Sequence, residues 1–321
     1  MIKYVILISV IVLLFLVYIL AGVIKKYHSK DEKSIETVQE YIKKQRIRKI
    51  IFRIFIYIFL AIIAVYIVFP FYWMIITSLK STEELDSIYI TYFPKEIMWE
   101  NYPIAMERAK MGRLIFNTVY VGVISTIGTL VTTIFAAFAF SRLKFIGRDL
   151  MFTLFLATMM IPGEMMVITN FITVSNFGWI DTYQAMIVPF LVSVFYIYLL
   201  RENFRQVPNE LYLAAKVDGN GDFKYLIKIL IPLALPTITT ITILKLMGSW
   251  NSYIWPNLVT QTEEMRLVSN GLRTSFTSED GRSSQNLQMA AATVITAPLM
   301  LLFIFMRKYI MRGVSRSGIK G

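Results

Sequence analysis

The sequence predicts an all-α, polytopic membrane protein: a bundle of six core transmembrane helices with one additional transmembrane helix at the N-terminus. Three observations carry this. Hydrophobic residues make up 56% of the chain and charged residues only 17%, against about 45–50% and about 25% in a soluble domain. Several apolar runs approach the roughly twenty residues that cross a bilayer. Lys and Arg collect in alternate connections between those runs, as the positive-inside bias requires.

Residues 4–24 are apolar without interruption. The run is longer than the apolar core of a signal peptide, and no small-x-small cleavage site follows, so it reads as a retained span. Lys25, Lys26 and Lys30 follow it, with only Lys3 before it. That bias predicts an N-terminus outside. Residues 25–53 read as a basic cytoplasmic linker. Ile35, Val38, Tyr41 and Ile42 recur there at helical spacing, and Glu40 stands four residues before Lys44. A helix held on the membrane surface by anionic lipid and a solvated spacer are both open readings. His28 reads as a surface residue.

Residues 54–321 then form the six-span domain. The first span covers 54–76, with Pro70 near its outer end and Tyr72-Trp73 at the interface. Residues 80–113 suit an outer loop, with Glu83, Glu84, Asp86, Glu96, Glu100 and Glu107. Residues 114–140 cross back, and Gly122, Ser125, Gly128, Ala136 and Ala137 permit close helix packing. Arg142, Lys144 and Arg148 mark the inside. Residues 150–172 cross outward, interrupted at Pro162-Gly163-Glu164, and 174–184 lie outside with Asp181. Residues 185–200 return to Arg201 and Arg205. Residues 233–255 cross outward, 257–284 form a polar outer segment, and 287–306 cross in. The basic tail from Arg307 to Lys320 ends inside.

The stretch 208–236, PNELYLAAKVDGNGDFKYLIKILIPLALP, is polar between hydrophobic runs. Pro208-Asn209-Glu210 is a helix start with an acidic first turn. Helix formers follow as far as a break at Asp218-Gly219-Asn220-Gly221. A second helical run, 223–231, stops at Pro232. Helix, turn and helix on the face of a membrane domain is not what a plain connection looks like.

The chemistry is bounded by absences. The chain has no cysteine and one histidine, which removes thiolate sites and multi-histidine metal sites and leaves little for histidine catalysis. No G-x-x-x-x-G-K-[ST], H-E-x-x-H, G-x-S-x-G or TVGYG occurs. The chain is therefore read as no enzyme and no ATPase. The net charge of +12 belongs to basic loops rather than to nucleic-acid binding. What remains is a transport subunit driven from outside itself.

The stretch 208–236 resembles the EAA loop of ABC importer permeases. Ala214-Ala215 match its alanines, Asp218-Gly219 its D-G, and Ile229, Ile231 and Pro232 its close. Leu213 stands where that family usually has glutamate, and Glu210-Leu211 matches the preceding E-L. Trp250-Asn251 with Trp255-Pro256 resembles a segment of carbohydrate permeases of the maltose-transporter inner-membrane type. So do Asn117-Thr118, the run from Ala137 to Arg142 with Phe145 and Gly147, Pro162-Gly163-Glu164, Gly178-Trp179-Ile180-Asp181-Thr182, and the terminal GVSRSGIKG. The resemblance covers roughly residues 50–321.

It implies half of a translocation pathway for sugars or oligosaccharides in a bacterial-type cytoplasmic membrane. The implied partners are a second permease, two cytoplasmic ATPases that bind ATP and Mg, an extracytoplasmic solute-binding protein and membrane lipid. No cofactor is expected on this chain. Glu210, Leu213, Ala214, Ala215, Asp218 and Gly219 are the expected ATPase joint, with an apolar contact or Glu210 replacing the missing acid. Ser317, Gly318 and Lys320 form a second expected contact. Glu164, Lys245, Trp250, Asn251 and Tyr253 are candidate pathway residues. Lys245 and Glu164 read either as a structural pair or water-facing groups, or, for Lys245, as a contact to an anionic sugar. The aromatics Trp250, Tyr253 and Trp255 read as sugar-stacking or interfacial residues. A permease for another solute, and a membrane scaffold or sensor, are the alternatives.

Overall fold

Helix is the only regular element among the described residues, 38–276 and 284–315 of the computed structural model. Lipid offers backbone groups no hydrogen-bond partner, so a spanning segment must satisfy them within itself. The expected span at 4–24, the start of the linker and the tail residues Ser317, Gly318 and Lys320 lie outside the described residues.

The first helix, α1 (Val38–Ser78), runs through the expected linker boundary without a break. No Gly or Pro stands between Glu40 and Arg53 to stop it. The chain divides into two units between Phe69 and Pro70. In the first unit the apolar side chains from Ile50 to Phe69 are mostly exposed, as suits a helix surrounded by lipid.

The second unit holds everything described below. Short helices α2 (Thr82–Leu85) and α3 (Asn101–Arg108) precede the central helix α4 (Met111–Arg142). Helices α5 (Arg148–Thr158) and α6 (Met166–Asn176) meet at 77° across the Pro162 break that the sequence predicts. Helix α7 (Tyr183–Ile187), with the turn Val188–Phe190, meets α8 (Val194–Gln206) at 43°. This bend is not evident in the apolar run 185–200. It sits where Pro189 withdraws an amide and Ser193 restarts the helix by accepting the Tyr196 N–H (3.4 Å).

The polar stretch folds into α9 (Asn209–Val217) and α10 (Asp222–Tyr225). It continues through a π-helical turn (Leu226–Leu230) and α11 (Ile231–Leu233), and bends 78° into α12 (Leu235–Trp250). Pro232 and Pro236 flank that bend, so its amides cannot continue one ladder. The span ends at Trp250, five residues before the expected end, because α13 (Ile254–Val259) is a separate helix. Helices α14 (Val268–Ser275) and α15 (Gln285–Ser315) follow.

By length and composition, three single helices and three bent pairs can cross a membrane among the described residues. Helix α4 packs against α8 and α12, and α15 against α12 and α3. A Cβ added at Gly122 would meet Ser249 at ordinary contact distance, whereas one at Gly128 would overlap Leu191. Close packing on α4 is thus tightest at Gly128, where the end of the Leu191 side chain occupies the space a Cβ would take.

Candidate functional site

Two places in the second unit carry candidate residues: the α8–α9–α10 joint at the basic end of the bundle, and a cavity toward the opposite end.

The joint begins where α8 must stop. Val207 precedes Pro208, which excludes a helical continuation and leaves Val207 extended. The carbonyls freed at that end are met by Arg142, the last residue of α4. Its guanidinium donates to Phe204 O and Val207 O, both at 2.6 Å, and to Asn209 Oδ1 at 3.4 Å. The Arg201 Nε donates to Phe140 O (3.1 Å), and its guanidinium lies 3.9 Å over the Phe152 ring. Two buried arginines therefore lock α8, α9 and α4 together. In the sequence both read only as markers of the inner side, because an arginine closing an apolar run looks the same in either role.

Helix α9 ends in a Schellman turn. The Asn220 N–H donates to Ala215 O (2.9 Å) and the Gly219 N–H to Lys216 O (3.0 Å). Gly219 has φ +75°, the left-handed conformation glycine adopts without penalty, and a Cβ added there would have no atom within 4 Å. Asp222 Oδ1, opening α10, accepts from the Tyr212 hydroxyl and the Lys216 ammonium, each at 2.6 Å. The bond to Asp222 holds Lys216 above its usual range. The Tyr212 and Tyr225 rings meet edge to face at 4.9 Å.

These contacts divide the candidate residues. Ala215 is 3% exposed and belongs to the core with Leu200, Phe204 and Leu230, so it anchors α9 and has no surface to offer. Glu210, Leu213, Ala214, Asp218 and Gly219 are exposed. Leu213 (55% exposed), Val217 (88%) and Phe223 (64%) make the outward surface apolar around the position where the acid is missing.

The cavity has a volume of about 340 Å³ and is lined from α4, the α7–α8 bend, α12 and α13. Lys245 lines it, and its ammonium donates to Phe190 O (2.9 Å). That carbonyl is freed by the bend and also accepts from Thr129 Oγ1 (3.1 Å), while Thr132 Oγ1 meets Leu191 O (2.6 Å). Among the described residues no carboxylate pairs with Lys245, and Glu164 is exposed and not among the lining residues. Of the readings the sequence leaves open, the Lys245–Glu164 pair does not form. A lysine inside a spanning helix costs about 2.5–3.5 kcal/mol on insertion scales. One charge-assisted hydrogen bond returns about 1.5–3 kcal/mol. With Thr129 already on Phe190 O, repair of the bend does not by itself account for the charge.

Trp250, Asn251 and Tyr253 are not among the lining residues. Asn251 turns back to donate to Met247 O (2.9 Å). Trp255 does line the cavity, but it is buried and its Nε1 donates to Ala185 O (3.0 Å).

Several motif residues form a clasp beyond the cavity. Asp181 accepts from the Gln261 N–H (2.8 Å), the Thr262 N–H (3.1 Å) and the Thr262 hydroxyl (2.7 Å). Burial alone would raise its carboxyl, yet those three donors hold it below the usual carboxylate range. Asn117 Nδ2 donates to Glu264 O (2.6 Å) and Arg266 O (2.9 Å), and its Oδ1 accepts from Tyr183 (2.7 Å). Thr118 Oγ1 accepts the Val268 N–H (2.9 Å). The residues that carry the resemblance here hold backbone in place.

The family model described as binding-protein-dependent transport system inner membrane component matches residues 128–316. The arabinooligosaccharides transport system permease protein AraQ of Bacillus subtilis (strain 168) is 27% identical over 274 residues, covering 84% of this chain and 97% of that one. The sn-glycerol-3-phosphate transport system permease protein UgpE of Rhizobium meliloti (strain 1021) is 29% identical over 255 residues, covering 77% and 90%. The fold is shared with a chain of a bacterial ABC transporter involved in the import of the acidic polysaccharide alginate. The TM-score is 0.74 at 22% identity, covering 86% of this chain and 99% of that one.

Proposed function

The chain belongs to the family of binding-protein-dependent transport system inner membrane components, and on that premise we propose that it is a permease subunit of an ATP-driven importer of sugars or oligosaccharides, forming half of the pathway. It is a transport component and not an enzyme. The relatives named for transport of arabinooligosaccharides and of sn-glycerol-3-phosphate support a hydroxylated solute of this class.

The observation that carries the mechanism is the α9 joint: a largely exposed helix anchored by Ala215 in the core, by Asn209 to Arg142, and by Tyr212 and Lys216 to Asp222. Its basic end faces the cytoplasm in this reading, as the alternating charge implies. Glu210, Leu213, Ala214, Asp218 and Gly219 meet an ATPase subunit, which binds ATP and Mg. A force applied to α9 reaches α4 through Arg142 and α12 through the shared core, so the spans move as rigid bodies. A second permease, a second ATPase and an extracytoplasmic solute-binding protein complete the complex. ATP and the loaded binding protein must favour the same state for transport to be coupled. The tail residues Ser317, Gly318 and Lys320 form a further ATPase contact, and the N-terminus lies outside.

The apolar surface at Leu213, Val217 and Phe223 supports a hydrophobic rather than an ionic contact where the acid is missing. Co-purification of ATPase with Leu213→Asp, and separately with Glu210→Ala and Gly219→Pro, tests this. Leu213→Asp is expected to reduce capture of the ATPase and transport-coupled ATP hydrolysis. If all three variants keep wild-type coupling, α9 is not the joint.

A further inference from the structure

Lys245 is a charge that the architecture does not neutralise. Its ammonium has three donors and spends one on Phe190 O. The cavity it lines contains no Asp or Glu, but it does contain Ser125, Ser193, Ser249, Ser252 and Tyr196. The Ser249 and Ser252 hydroxyls make no hydrogen bond among the described residues. The Phe190 and Trp255 rings, edge to face at 5.4 Å, contribute an apolar wall. The volume, about 340 Å³, falls at the small end of the ~300–1,000 Å³ typical of small-molecule sites. One cation, several hydroxyls, an aromatic wall and no acid match a hydroxylated ligand carrying negative charge, and repel none of it.

We propose that Lys245 and the hydroxyls around it form a subsite for the anionic group of a sugar in transit, a uronate carboxylate or a sugar phosphate. The proposal rests on the reading of the chain as a sugar-importer permease and narrows it. Lys245 supplies the charge, Ser249 and Ser252 supply donors and acceptors for the ring hydroxyls, and Trp255 bounds the site. The ammonium stays tethered to Phe190 O, so the subsite is preformed at the α7–α8 bend.

The chain has no cysteine, which permits a direct test in the full complex with cysteine-free partner subunits. Gly248→Cys, where an added Cβ meets no atom within 4 Å, is installed as a reporter, and Val192→Cys, also on the cavity wall, as a second reporter should the first fail to assemble. The rate of modification by a neutral maleimide is measured with trigalacturonate, glycerol 3-phosphate or maltotriose present. At least one acidic probe is expected to slow modification about tenfold, the worth of one charge-assisted contact, with maltotriose much weaker. Protection by trigalacturonate alone assigns a carboxylate, and by glycerol 3-phosphate alone a phosphate. Lys245→Gln is expected to remove the protection and Lys245→Arg to keep it. Equal protection by maltotriose, protection that survives Lys245→Gln, or no protection by any probe overturns the proposal. Failure of the importer reading is distinguishable, because then no ATPase co-purifies with the chain.

Discussion

Arg142→Ala should loosen the α8–α9 junction selectively. The wild-type guanidinium makes two charge-assisted hydrogen bonds at 2.6 Å, to Phe204 O and Val207 O, and a weaker one to Asn209. Each strong bond is worth about 1.5–3 kcal/mol, and each carbonyl left unmet in a buried setting adds a penalty. Removing the cation also relieves its desolvation, since no carboxylate is within its reach among the described residues. The net cost to the docked state of the α8–α9 junction, through which α9 is attached, is about 2–3 kcal/mol, which converts to a rise of about 30–150-fold in its opening equilibrium. Amide hydrogen exchange in lipid nanodiscs reads this directly. Peptides covering 209–217 should exchange faster by that factor, while peptides covering 238–250 stay at the wild-type rate. Arg142→Lys keeps the charge but not the planar fork that reaches two carbonyls, and should show a rise of only about fivefold, or about 1 kcal/mol. Unchanged exchange over 209–217, or an equal rise over 238–250, would refute the assignment of Arg142 as the local anchor.

Gly219→Ala should lower stability by about 1–2 kcal/mol through φ alone, because its Cβ would meet nothing within 4 Å. Gly219→Asn should recover part of this, and thermal unfolding followed by tryptophan fluorescence distinguishes the two. Asp181 makes a pH prediction with a definite sign. Its carboxyl is depressed in the folded state, so its contribution to stability is present above the ordinary value of 3.8 and is lost as pH falls through the lower folded value. Asp181→Asn should therefore be less stable than wild type at pH 7, by about 1 kcal/mol, with the gap closing on acidification below that range. A constant gap across pH would show that the carboxylate charge contributes nothing to the clasp.

The helical class and the six core apolar runs are legible in the sequence because lipid forces helix, and hydropathy reports lipid. The break at Pro162 and the turn at Gly219 are legible because Pro and Gly announce themselves through missing donors and positive φ. The bend at residues 191–193 is not. Pro189 and Ser193 are its local cues, but the carbonyls it frees are met by Thr129, Thr132 and Lys245 from two other helices, and no local pattern encodes partners some sixty residues away. The joint is visible in the sequence but its interior is not: Ala214 and Ala215 look equivalent there, yet one faces out and the other is core. Arg142 and Arg201 satisfy the charge-topology rule so completely that their structural role leaves no residue unexplained. Asp181, Asn117 and Trp255 read in the sequence as family markers, and Trp255 also as a stacking or interfacial ring, because the backbone groups each one holds come from segments distant in sequence.

The joint and the cavity are mechanically one system. Ala215 of α9, Tyr225 of α10, Leu226 and Leu230 of the π-helical turn, Ala234 at the bend, and Ile238 and Ile241 of α12 belong to a single buried cluster. Close packing makes such a cluster resist compression, so a displacement of α9 is carried into α12 rather than absorbed between them. Lys245 stands four residues beyond Ile241, on the same side of α12 and one turn further along. A tilt of α12 that moved Lys245 relative to Phe190 would lengthen the bond that keeps its ammonium tethered at 2.9 Å. If an anion binds Lys245 more tightly in one position of α12 than in another, the same free energy must bias the position of α9 in return.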